Sequence, residues 1–72
     1  MKLRKEIIQV LKNSGKEMRS REIASLIRRE TIEVSVELCK MEMGGIVKRT
    51  THNDFLNGES YYTWKIRGWQ NP

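Results

Sequence analysis

The chain has 72 residues, room for one small domain that buries roughly 60% of the surface its unfolded form exposes. Hydrophobic residues make up 38% and charged residues 32%, a mix that gives a thin core and argues against wholesale disorder. The net charge of +5 favours an acidic partner, while one cysteine, Cys39, and one histidine, His52, exclude a disulfide framework and a thiolate-built zinc site.

No apolar run approaches the roughly 20 residues that a membrane span needs. The opening MKLRKEIIQVLKNSG is basic like a signal peptide, but Glu6 and Gln9 interrupt its apolar stretch and no cleavage site follows. No membrane is expected as a partner, and a reducing cytoplasm is the expected compartment.

Leu3, Ile7, Ile8 and Leu11 recur at helical spacing, which predicts an amphipathic helix over about Lys2 to Ser14. Asn13-Ser14-Gly15 reads as its stop, with Gly15 suited to the left-handed position past a helix end. Met18 fits a brief extended stretch. Ser20 is then a candidate N-cap, with Glu22 in the first turn, where the helix dipole favours an acid. Ile23, Ala24, Leu26 and Ile27 form a second apolar stripe, closed by Arg28 and Arg29. Those two arginines suit either a capping or a binding role.

Thr31 to Gly45 carries two patterns. Ile32, Val34, Val36 and Leu38 alternate with Glu33, Ser35 and Glu37, as in a strand. Val34, Leu38 and Met41 also line one face of a helix that ends at Gly44-Gly45. The helix is preferred, with a strand at Thr31 to Leu38 as the alternative. A helix leaves Ile32, Val36 and Met43 on the opposite face, a surface suited to a homodimer or another protein partner.

Ile46 to Thr51 and Ser60 to Arg67 read as strands around a two-residue Asn57-Gly58 turn. That turn sets Thr51 opposite Trp64, Arg49 opposite Ile66 and Asn53 opposite Tyr62. Val47, Phe55, Tyr62, Trp64 and Ile66 then share a core-covering face. Lys48, Thr50, His52, Tyr61, Lys65 and Arg67 share a basic and polar one. His52 to Glu59 equally fits a loop, with His52 on its surface. Residues 68–72 are expected to be a tail in which Trp69 folds back on the core.

Charge is uneven along the chain. Residues 1–29 carry nine basic and three acidic side chains, residues 30–45 one and four, and residues 46–72 four and two. The middle segment is therefore the acidic one, with Glu33 and Glu37 expected on its outward face.

No catalytic constellation is visible. His52 has no second ligand at metal spacing, Cys39 has no neighbouring base and is expected to be buried or half-buried, and Gly44-Gly45 lacks the run that cradles phosphate. Asp54 and Glu59 flank a turn without a pairing that suits acid–base work. An enzyme is not expected, and neither is a cofactor.

The order of elements also resembles a family. SREIASLI resembles the second helix of a helix-turn-helix. LCKMEMGGIVKR, from Leu38 to Arg49, is similar to the end of a recognition helix entering the first wing strand. YYTWKI, from Tyr61 to Ile66, looks like the returning strand. Together they resemble small winged-helix regulators of bacteria, plasmids and phages, over about Leu3 to Ile66. The resemblance implies an α+β fold: a three-helix winged helix-turn-helix with a C-terminal two-stranded hairpin wing, over residues 1–67. It also implies double-stranded DNA as partner and a role in transcription regulation, with the third helix in the major groove and the wing along the adjacent backbone. Carried over by position, Thr31, Ser35 and Lys40 would face the groove. Arg28 and Arg29 would sit near phosphates, and Lys48, Arg49, Lys65 and Arg67 on or beside the wing. The sequence departs from the pattern in its acidic third helix and in a turn before it that lacks glycine. A protein-interaction module on the same fold, modulating a larger enzyme or regulator, is the alternative.

Overall fold

A computed structural model describes residues 2–68; Trp69 and the rest of the tail lie outside them. Three helices, α1 (Lys2–Ser14), α2 (Ser20–Ile27) and α3 (Thr31–Met43), precede two strands, β1 (Val47–Asp54) and β2 (Glu59–Ile66). The strands form an antiparallel hairpin. This is the α+β layout of a winged helix.

The core follows from the apolar stripes. Leu3, Ile7 and Leu11 of α1, Ile23 and Ala24 of α2, and Val34, Leu38 and Met41 of α3 meet Val47 and Trp64 of the hairpin. Ile7, Ile23, Val34, Leu38, Met41 and Val47 are completely buried, and burial of one such side chain is worth about 1.5–3 kcal/mol relative to leaving it in water. Met18 does lie in an extended stretch. Its N–H donates to the Trp64 carbonyl at 3.1 Å and its carbonyl accepts from Trp64 N–H at 2.8 Å, so β2 is paired on both edges at Trp64.

The helix ends are set locally. Gly15 takes a left-handed φ of 65° after α1. The N-cap of α2 is Arg19 rather than Ser20: Glu22 accepts the Arg19 N–H at 3.0 Å, and Ser20 Oγ instead accepts the indole N–H of Trp64 at 3.2 Å. Leu26, expected in the apolar stripe of α2, is largely exposed. Arg28 holds φ 56° without being glycine, which turns the chain sharply into α3. Thr31 to Met43 is helix and not strand. It closes with Gly45 at φ 77°, where Gly45 N–H reaches Glu42 and Ile46 N–H reaches Met41, the paired bonds of a Schellman end.

The hairpin register differs from the expected one. Asp54 pairs with Glu59, Thr51 with Tyr62, and Arg49 with Trp64. The cause is Asp54, whose carboxylate accepts from Leu56 N–H at 3.0 Å, Asn57 N–H at 3.3 Å and Asn57 Nδ2 at 2.8 Å. These bonds widen the turn to Phe55–Gly58. Because each partner moves by two positions, side chains keep their faces. Phe55 leaves the strand and stands exposed at the tip, and Tyr62 is half exposed instead of buried.

Candidate nucleic-acid interface

The acidity of α3 is largely neutralised within the fold. Glu37 is not outward: it is 2% exposed and accepts from Arg4 Nε of α1 at 2.8 Å. Glu42 faces Arg49 of β1 at 3.6 Å. Glu33 alone of the acids inside α3 remains exposed without an ion pair among the described residues, and it sits in the first turn, where the helix dipole stabilises it.

The residues expected to face a groove are not gathered on one side of α3. Thr31 is exposed and Ser35 half-buried. Lys40 is five positions beyond Ser35, about 140° around the helix, and lines a groove with Leu3, Ile32 and Val36. Between those flanks the solvent face of α3 is apolar. Ile32 is 72% exposed, Val36 50% and Met43 89%, and Cys39, expected to be at least half-buried, is exposed with them.

Arg28 and Arg29 are both exposed in the turn between α2 and α3. Arg29 Nε lies 3.7 Å from Glu6 Oε2 of α1, an oxygen that is buried without a hydrogen bond. Arg29 thus neutralises its own fold, and Arg28 keeps its charge for solvent.

The sheet separates the wing cations. Arg49 is on the face turned to α3, its guanidinium 4.5 Å from the Tyr62 ring centre and 6.0 Å from that of Trp64. Lys48 and Lys65 are direct cross-strand partners on the other face. Arg67, just past β2, donates its N–H to the Ile46 carbonyl at 3.0 Å and is exposed at the base of the wing.

Further out on the Lys48–Lys65 face lies a network that the sequence did not disclose. Thr63 Oγ1 donates to Glu17 Oε1 at 2.9 Å and lies 2.8 Å from His52 Nε2. A hydroxyl has one proton, and a carboxylate can only accept it. His52 Nε2 therefore donates to Thr63. The hydroxyls of Thr50 and Thr63, with Lys65 and His52 nearby, hold the Glu17 carboxyl below its ordinary range, against a smaller upward push from desolvation. His52 is half-buried in β1, not a loop residue, and stacks on Tyr61 at 4.8 Å with an interplanar angle of 11°. The Arg19 guanidinium lies 4.3 Å from the Tyr61 ring centre. Strand alternation already placed His52 and Tyr61 together. Glu17 and Arg19 needed the pairing of Met18 with Trp64, for which only a short extended stretch gives a signal.

Among the described residues no group of three or more His, Cys, Asp or Glu side chains is placed to share a metal ion, and no helix is long and apolar enough to cross a membrane. No protein-family model matches the chain, and no curated protein compared with it matches either.

Proposed function

We propose that this chain binds double-stranded DNA through the outer face of its wing, with phosphate contacts leading and base readout secondary. The observation that carries this reading is the direct cross-strand pairing of Lys48 with Lys65. Like charges opposite one another destabilise a hairpin, and a bound phosphate removes that repulsion. Arg67 at the base of the wing and Arg19 beside Tyr61 extend the basic surface along the same hairpin, with the His52–Tyr61 stack between. Contacts of this kind position a protein on a duplex without reading its sequence.

The apolar solvent face of α3 offers little for the donors and acceptors of a major groove beyond thymine methyl groups. Thr31 and Ser35 therefore support at most a weak sequence preference. The role in view is architectural or modestly selective binding in transcription regulation, in a cytoplasmic setting. The test is fluorescence anisotropy with a labelled duplex. Lys48→Glu with Lys65→Glu abolishes binding while the circular dichroism spectrum is unchanged, and Val36→Glu leaves binding intact.

A second reading rests on the exposure of Ile32, Val36 and Met43. There α3 docks on a protein partner that the chain modulates. Under it the pattern reverses: Val36→Glu removes function and the wing lysines do not matter.

A further inference from the structure

We infer that α3 pairs antiparallel with α3 of a second copy of this chain, closing the apolar seam Ile32, Val36, Cys39 and Met43. The seam residues follow one another at spacings of four, three and four, the repeat of two helices packed along a common line. All four are exposed, because Val34, Leu38 and Met41 turn the opposite side of α3 into the core of their own domain.

The seam is complementary to itself in an antiparallel pairing. Around a two-fold axis that runs perpendicular to α3, on its solvent side and level with the Glu37–Leu38 step, Ile32 meets Met43 of the other copy and Val36 meets its Cys39. One axis satisfies both layers, as an isologous contact requires.

Charge selects the same arrangement. Glu33 and Lys40 lie seven positions apart on one edge of the seam, and neither has an ion-pair partner among the described residues. In the antiparallel pair each Glu33 meets the Lys40 of the other copy, twice per dimer. The other edge, Ser35 and Glu42, brings no opposed charges of its own, since Glu42 is held by Arg49. Helix dipoles also favour the antiparallel sense.

Shape agrees. Beside Ile32 and Val36 a shallow groove of ≈ 340 Å³ opens between α3 and Leu3 of α1, at the end of α3 where Met43 of the other copy arrives. An unbranched, adaptable methionine suits such a groove. One thirteen-residue helix packed on another makes a small contact, so the dimer is expected to form with rising protein concentration. The wing's Lys48–Lys65 face is turned away from α3, so the dimer carries two open basic wings; that consequence rests on the DNA reading, whereas the pairing itself does not.

Sedimentation equilibrium of the full chain, without DNA, tests it. Dimers form with rising concentration, and both Val36→Glu and Met43→Lys give monomers with an unchanged circular dichroism spectrum. Glu33→Lys weakens the dimer roughly tenfold by turning two attractive pairs repulsive, and adding Lys40→Glu restores it. A monomer at every concentration overturns the inference, as does a dimer indifferent to Val36→Glu and Met43→Lys. Failure of the double charge swap to restore the dimer overturns the antiparallel register. Duplex binding by the wing is read separately by anisotropy and survives any of these results.

Discussion

Arg4 of α1 donates its Nε–H to Glu37 of α3 at 2.8 Å, and that carboxylate is buried. The bond does two things at once. It ties the first helix to the third, and it removes from the surface an acid that would repel phosphate.

Loss of Arg4 strands the carboxylate. Arg4→Ala is expected to lower stability by about 1–3 kcal/mol, less than for a fully buried pair because Arg4 is itself partly in water. Arg4→Ala with Glu37→Leu recovers most of that loss. Lys5→Ala, a neighbour with an exposed side chain, stays within about 0.5 kcal/mol of the parent. Urea midpoints of the four proteins check it.

Much of this fold is legible in the residues, and the exceptions have physical causes. The stripes Leu3-Ile7-Leu11 and Val34-Leu38-Met41 announce their helices and their core faces. The strand-like alternation from Ile32 to Leu38 arises because α3 is apolar on two sides: Val34 and Leu38 point inward, Ile32 and Val36 outward. A pattern scan sees one residue in two and cannot tell that from a strand. The register slipped because Asn57-Gly58 is a strong local turn signal, while Asp54 three positions earlier captures the loop with its side chain. The burial of Glu37 is not legible in the sequence, because its partner Arg4 is 33 positions away and no local pattern encodes that pairing. The wing cations and their division between two sheet faces are legible from strand alternation, but the ion pair that turns Arg49 to Glu42 follows only from the hairpin's seating on α3.

Glu17 gives stability a pH dependence. Its folded-state pKa is lowered, chiefly by Thr50 and also by Thr63, Lys65 and His52. A depressed carboxyl contributes stability above its unfolded pKa and loses it as pH falls through the folded value. Glu17→Gln is thus less stable than the parent near pH 7, and the difference shrinks on acidification through the glutamate range. Unfolding midpoints measured down to about pH 3 show convergence of the two proteins; a constant gap contradicts it.

Arg28 occupies a left-handed conformation at φ 56°. A residue with a Cβ pays about 1 kcal/mol there that glycine does not. Arg28→Gly is expected to raise folding stability by up to about that amount, and with it the unfolding midpoint, while duplex affinity falls slightly through the lost charge. Thermal unfolding and anisotropy on the same sample read both effects.

Asp54 holds the four-residue turn. Asp54→Ala removes three hydrogen bonds at an exposed site, a loss of about 0.5–1.5 kcal/mol in total. Amide hydrogen exchange at Leu56 and Asn57 is expected to accelerate, and exchange at Trp64, deep in the sheet, to follow global stability only.

The most direct test of the DNA reading is the salt dependence of anisotropy with a random-sequence duplex. If Lys48, Lys65, Arg67 and Arg19 each neutralise one phosphate, the logarithm of the binding constant falls with the logarithm of salt at a slope of about −3 to −4. The Lys48→Glu, Lys65→Glu protein shows no measurable binding. Absence of binding by the parent chain at low salt, or binding whose affinity ignores salt, contradicts a wing built to hold the phosphate backbone.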